Sequence, residues 1–192
     1  MTFKEIFSRI DGIEGWMGKN DCKALYNHAT KVSGLIVEIG PYMGRSTKLL
    51  ALSSPKSEVI AIDPFEDTAF YSHSGEIVKD NFLKNTHGLN ITLIQKKSQN
   101  AGRGWKRSID LLLVDGDHLY EAVKKDIKLF VSHVKGGCYV LFHDYYTKGV
   151  TEEYQPNKHG VSKAVDELKE KYFDEVLLPT QEWGFAICRR KR

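Results

Sequence analysis

Five short apolar runs recur along the chain, at Leu35–Ile39, Glu58–Ile62, Ile91–Ile94, Ile109–Val114 and residues 138–142. A strand with one face in water would alternate polar and apolar residues, whereas runs such as LIVEI, EVIAI and IDLLLV suit strands covered on both faces. Helical patterns stand between them, at residues 46–52 and again where Leu119, Val123, Ile127, Phe130 and Val131 form one stripe. Lys124, Lys125 and Lys128 face away from that stripe. Strands separated by helices build βαβ units and a mainly parallel, doubly wound α/β sheet. A last helix carries Val161, Val165, Leu168 and Tyr172, and two apolar runs follow at 176–178 and 185–188. Only residues 179–184 separate these two, too little chain for a crossover helix, so they are expected to pair as an antiparallel hairpin. The expectation is a seven-stranded sheet, mainly parallel, with an antiparallel C-terminal hairpin strand.

Ahead of the first strand, Phe3, Ile6, Phe7 and Ile10 fall at i, i+3, i+4 and i+7, the stripe of a short helix. Gly12, Gly15 and Gly18 then interrupt the pattern around Trp16 and Met17. A second helix follows Asn20, with Ala24, Leu25, His28 and Ala29 on one side, and is expected to end near Gly34.

The length of 192 residues fits one domain, 1–192, with a substantial core. No stretch approaches the roughly 18 apolar residues of a membrane span, and the N-terminus lacks the apolar run of a signal peptide, so a cytoplasmic location is expected. Cys22, Cys138 and Cys188 are odd in number, widely spaced and form no CxxC pair, which argues against a disulfide framework or a zinc site. A net charge of +3 is too mild for a nucleic-acid footprint, and the basic run at 189–192 reads as a solvated terminus.

Two connections exceed the usual length of α/β loops, one from Asp63 to about Ser74 and one from Asp144 to about His159. Both leave strands at the carboxyl edge, where open α/β sheets bind ligands. Tyr71, His73, Tyr145, Tyr146 and Tyr154 enrich these loops, facing a substrate or packing locally.

The first strand ends in Glu38-Ile39-Gly40-Pro41-Tyr42-Met43-Gly44-Arg45-Ser46-Thr47. Gly40 permits a sharp turn, and Gly44 lets backbone approach a ligand or the next helix closely. Ser46, in the first helical turn, has a hydroxyl and free N–H groups that could receive a carboxylate. Glu38 is a buried carboxylate needing a donor, which a ligand ammonium or an internal group would supply. Asp63 ends the second strand, placed to accept both hydroxyls of a ribose or to close a turn. The turn is not G-x-G-x-x-G, so a dinucleotide is disfavoured, and no phosphate-cradling P-loop sequence is present.

These residues carry a resemblance. Glu38–Thr47 is similar to motif I of catechol-type and caffeoyl-CoA-type O-methyltransferases. It is closer still to a broad group of class I S-adenosylmethionine-dependent methyltransferases that carry E-I-G-x-x-x-G-R-S-T, then A-I-D-P, D-G-D-H-x-Y and a G-G followed by H-D. The likeness runs from about Gly15 to Asp166 with the motifs in order. It implies a Rossmann-like fold, S-adenosylmethionine as cofactor, and a capping role for the helices within residues 1–33. Carried over, Glu38, Gly40, Tyr42, Gly44 and Ser46 belong to the cofactor turn. Asp63 would bind the ribose, Ser98 and Gln99 would border the adenine, and Asp115 would complete the cofactor set. Trp16 and Met17 would roof the methionine end or pack on the core.

The counterparts of Asp115, His143 and Asp144 hold Mg²⁺ in the catechol-type family. Here the middle position is a histidine, and an imidazole suits manganese, iron or zinc better than magnesium. His118 falls where that family has its general-base lysine. An imidazole can take a hydroxyl proton near neutral pH, so His118 and His143 are the catalytic candidates. The bland alternative has Asp117 capping the long helix and His118 in its first turn. The resemblance implies O-methylation of a small polar molecule, assisted by a divalent metal (Mg or Mn) or by a base alone. The rival reading is an S-adenosylmethionine-binding protein without transferase activity. The partner implied is a small-molecule acceptor, with no nucleic acid and no membrane, and a homodimer is allowed for.

Overall fold

A computed structural model describes residues 1–67, 72–147, 155–179 and 181–192. Tyr71 and Tyr154 lie outside these residues. In chain order the elements are α1 (Phe3–Ile10), α2 (Lys19–Ala29), β1 (Leu35–Ile39), α3 (Arg45–Ser53), β2 (Glu58–Ile62), α4 (Gly75–Thr86) and β3 (Ile91–Ile94). There follow α5 (Ser98–Gly102), β4 (Ile109–Val114), α6 (Tyr120–Phe130), a 3-10 turn at Val131–His133, β5 (Val134–Tyr146), α7 (Pro156–Tyr172), β6 (Phe173–Leu177) and β7 (Trp183–Arg190).

The strand order is β3-β2-β1-β4-β5-β7-β6. Parallel pairing joins β1 to β2, β2 to β3 and β4 to β5, while β7 runs antiparallel to both β5 and β6. This is the Rossmann-like arrangement expected of the sequence, with one reversed strand inserted between β5 and β6.

The chain divides into two compact units, Met1–Ser98 and Gln99–Arg192. In the first, β1 is buried along its whole length, which accounts for its unbroken apolar run, and Ile36, Val37, Leu49, Leu50 and Ile60 form the centre of the core. Thr2 opens α1 with a capping box: its hydroxyl accepts from Glu5 N–H while the Glu5 carboxylate accepts from Thr2 N–H at 2.7 Å. The second unit packs Leu111, Leu112, Val140, Phe142, Ile127 and Phe130 into its own core.

Three expectations about element boundaries need correction, those for the helix after Asn20, for the fifth strand and for the Leu119 stripe. The helix after Asn20 begins at Lys19 and stops at Ala29, five residues before Gly34. The fifth strand is far longer than 138–142, because β7 pairs with it beyond the C-terminal end of that run, at Tyr145 and Tyr146, and β4 pairs with Val134 ahead of it. Leu119 is 43% exposed and precedes α6, so the buried stripe begins at Val123. Cys22, Cys138 and Cys188 are all free thiols. Among the described residues no helix is long and apolar enough to cross a membrane.

Candidate active site

In the first unit the chain leaves β1 through three residues in the left-handed region, Gly40 (φ 84°), Tyr42 (φ 47°) and Gly44 (φ 88°). Gly44 is the N-cap of α3, and a Cβ there would lie 2.9 Å from Thr86 Cγ2 and 3.2 Å from Phe82 Cδ2. The close approach at Gly44 is therefore to α4, which also fixes the turn by donating from Asn85 Nδ2 to Met43 O at 2.8 Å. Gly44→Ala is expected to destabilise the protein by about 1–3 kcal/mol, from a strained φ and a crowded methyl, measured by urea unfolding.

Glu38 is fully buried, and Thr47 Oγ1 donates to its Oε2 at 2.5 Å. Thr47 is thus one internal partner that the sequence reading did not identify. Ser46 is buried in the first turn of α3. At the end of β2, Asp63 Oδ1 accepts from Phe65 N–H at 2.7 Å, and the Tyr42 backbone N–H also hydrogen-bonds the carboxylate. Burial pushes Asp63 up to about 6, against the lowering effect of those two bonds. The turn glycines and Asp63 are thus tied together through Tyr42. Ser98 is buried where α5 begins, and Gln99 follows it half-buried.

In the second unit β4 delivers Asp115 and β5 delivers His143 and Asp144, while His118 stands just before α6. Asp144 has φ 56°, and the β5–β7 register shifts between Phe142 and Tyr145. Such a break in a ladder re-aims the side chains within it. His118 Nε2 lies 3.7 Å from Asp115 Oδ1 and 3.4 Å from Asp144 Oδ2, and His143 Nδ1 lies 3.2 Å from the same two oxygens. Asp115, His118 and Asp144 offer donor atoms all within 4.8 Å of one another. Burial raises the Asp115 carboxyl, but His143 and His118 outweigh it and hold the group at about 2. Burial lowers His118, and the hydrogen bond and charge of Asp115 with the charge of Asp144 more than reverse that, raising it. Two carboxylates against two imidazoles form a polar, partly open centre able to accept a proton or to hold a cation through mixed oxygen and nitrogen donors.

Residues 37–145 match the family described as a methyltransferase domain, more than half of the chain. The chain belongs to that family. By family it is a methyltransferase domain, and its fold is Rossmann-like. It is 30% identical over 139 residues to an uncharacterized protein of Acanthamoeba polyphaga mimivirus, covering 69% of this chain and 60% of that protein. The chain thus spans about 60% of the length of that curated relative. Its fold is similar to that of a Podospora anserina methyltransferase solved with S-adenosylhomocysteine (TM-score 0.70, 18% identity, 99% of this chain and 88% of the other). It is also similar to TomG, an O-methyltransferase from Streptomyces achromogenes solved with S-adenosylmethionine (TM-score 0.66, 15% identity, 99% and 88%).

For this methyltransferase domain the bland reading of the D-G-D-H segment does not hold. Asp117 Oδ1 accepts from Leu119 N–H at 2.9 Å, closing a tight turn, and the N-cap of α6 is Leu119. His118 therefore sits outside the helix, with its side chain 37% exposed and directed at Asp115 and Asp144.

Sequence reasoning also missed what holds the N-terminal segment. Arg45 Nη1 donates to the carbonyls of Ile10, Asp11 and Ile13 at 3.1, 3.0 and 2.9 Å, at the C-terminal end of α1. Glu14 accepts from the Tyr42 hydroxyl at 2.7 Å and faces His73 Nε2 at 3.2 Å. Tyr42, expected in the cofactor set, thus commits its hydroxyl to the N-terminal segment. Trp16 is not packed into the core: it is 65% exposed and rests on the Tyr42 ring with centroids 4.8 Å apart, while Met17 is buried. The signal available in the sequence was the arginine of the G-R-S motif, whose fork matches clustered carbonyls.

Proposed function

We propose that this methyltransferase domain moves a methyl group from S-adenosylmethionine to a hydroxyl oxygen of a small polar acceptor, a sugar or another metabolite, in the cytoplasm and without nucleic-acid or membrane partners. The observation that carries the reading is the convergence of Asp115, His118 and Asp144, with His143 beside both carboxylates. In the reaction the acceptor oxygen forms a bond to the methyl carbon as the carbon–sulfur bond of the sulfonium breaks. The electron pair of that bond stays on sulfur, giving neutral S-adenosylhomocysteine. The hydroxyl proton passes to His118, which Asp115 and Asp144 orient and hold ready for the positive charge. Asp63 would accept the ribose hydroxyls, and the Gly40–Gly44 turn with Ser46 would receive the methionine end.

Asp115, His118 and Asp144 also fit a divalent cation, Mg²⁺ or Mn²⁺, and the imidazole in the set favours Mn²⁺. Bound there, a cation would act as a Lewis acid on the acceptor hydroxyl and lower its pKa. Titration with Mn²⁺ followed by electron paramagnetic resonance is expected to show one bound ion per chain, lost in Asp115→Ala. Absence of binding by the wild-type protein would remove the metal and leave His118 as sole proton acceptor.

The reading as a whole is tested by calorimetric titration with S-adenosylhomocysteine. Micromolar affinity is the expected result, and no heat of binding would overturn the assignment. An acceptor screen with and without Mn²⁺ follows from the first outcome.

A further inference from the structure

We infer that the first turns of α7 position the reacting cluster, Gly160 setting the place of His118 and Ser162 the place of Asp144. The inference rests on reading Asp115, His118 and Asp144 as the reacting group. Neither α7 residue touches that group directly, and both act through backbone.

At Gly160 an added Cβ would fall 2.1 Å from the His118 carbonyl oxygen, 2.6 Å from Tyr120 N and 3.0 Å from Leu119 C. All three are backbone atoms, so no side-chain rotation relieves the overlap. The helix lies directly against the link that carries His118. That link is short: it runs from the Asp117–Leu119 turn straight into α6, whose first bonds are Ala122 N and Val123 N to Leu119 O. With backbone of α7 on one side, His118 has little freedom to stand elsewhere.

Ser162, two residues further along the same helix, is buried, and its hydroxyl accepts from Tyr146 N–H at 2.8 Å and donates to Tyr146 O at 2.9 Å. Both backbone groups of Tyr146 are thus held by one side chain. The His159 ring stacks on that of Tyr146, with centroids 5.3 Å apart and planes 20° from parallel, and the Tyr145 hydroxyl donates to Asp166 at 3.1 Å. His143 and Asp144 occupy the stretch where the β5–β7 register breaks. Their places therefore depend on the anchors at either end of the break, and α7 supplies the one at Tyr145–Tyr146.

The helix that follows β5 thereby sets the 3.4 Å approach of His118 to Asp144. Catalytic constellations tolerate about 0.5 Å of misplacement. A methyl at Gly160 demands more than that of either α7 or the His118 link.

The test compares Gly160→Ala and Ser162→Ala with Gly136→Ala, a control in β5 whose added methyl would meet Arg192 Cα at 2.8 Å. The readouts are the imidazole Cε1–H signals of His118 and His143 at a fixed neutral pH, assigned with single His→Ala variants, together with melting temperature. Gly160→Ala is expected to displace the His118 signal, and Ser162→Ala to displace both signals because Asp144 faces both rings. Gly136→Ala is expected to lower the melting temperature and leave both signals in place. With an acceptor in hand, kcat in Gly160→Ala should fall about 100-fold with the cofactor KM unchanged. Unmoved signals in a folded Gly160→Ala or Ser162→Ala protein, or equal movement in Gly136→Ala, would overturn the inference. Should Gly160→Ala fail to fold, Ser162→Ala alone decides it. The signals require no cofactor, metal or acceptor, so failure of the proposed function is read separately, from the calorimetric titration.

Discussion

Asp63→Ala is expected to weaken S-adenosylhomocysteine binding at least tenfold, about 1.4 kcal/mol. A ribose offers two hydroxyl donors, and a carboxylate at the carboxyl end of the second strand is the acceptor placed to take both. Asp63 is pre-set for this by two backbone N–H groups, those of Phe65 and Tyr42, which fix its orientation without a ligand. Hydrogen bonds to a charged acceptor are worth about 1.5–3 kcal/mol each, so tenfold is a lower bound. The pH dependence has a definite sign. Burial raises Asp63 to about 6 from its ordinary value of 3.8, so its acceptor form is lost as pH falls through 6. Affinity should hold steady above neutrality and drop about tenfold on acidification to pH 5. Stability of the free protein runs the other way. A raised carboxyl favours the folded state below 3.8, and that contribution disappears as pH rises through 6. Asp63→Asn, which avoids burying charge, should therefore melt higher than wild type above neutrality and lose that advantage toward pH 4, while binding cofactor more weakly. Thermal melts and calorimetry across that range check both limbs.

Asp144→Ala is expected to lower methyl transfer by about 10²–10⁴-fold while leaving S-adenosylhomocysteine affinity within twofold of wild type. The carboxylate faces both His118 and His143, at 3.4 and 3.2 Å, and its charge helps to raise His118. A proton acceptor works in its neutral form, so the rate should climb with pH through the His118 pKa and level above it. Removing the Asp144 charge takes away one raising influence, and the rising limb should move to lower pH in the residual activity of Asp144→Asn. A protein that only binds the cofactor would show no transfer in wild type and no change in Asp144→Ala. Product formation measured with the acceptor found by screening distinguishes the two.

Much of the candidate site is legible in the sequence. Gly40, Gly44 and Asp63 announced themselves because a strand that must turn sharply into a helix restricts backbone angles to those that glycine adopts readily. Asp115, His143 and Asp144 stood at the ends of continuous apolar runs, so their location at the carboxyl edge followed from strand direction alone. The surroundings of His118 did not follow. Whether Asp117 caps α6 or closes a turn ahead of it is a matter of one or two residues, and sequence propensity does not resolve helix starts that finely. Trp16 was equally opaque, since a loop tryptophan can bury or expose its ring at similar local energy, and only its seat on Tyr42 settles the matter.

The sequence by itself determined the architecture, because apolar periodicity and loop length leave few topologies for alternating strands and helices, and the short connection between the last two apolar runs calls for a reversed strand. It also determined which residues reach the carboxyl edge. The tertiary structure alone decided their company: Thr47 on Glu38, Arg45 on the end of α1, Glu14 on Tyr42, and Gly160 against the backbone of His118. Those contacts join residues 9 to 42 positions apart, and no local pattern encodes them. They arise only when packed elements bring backbone and side chains within hydrogen-bonding or van der Waals distance.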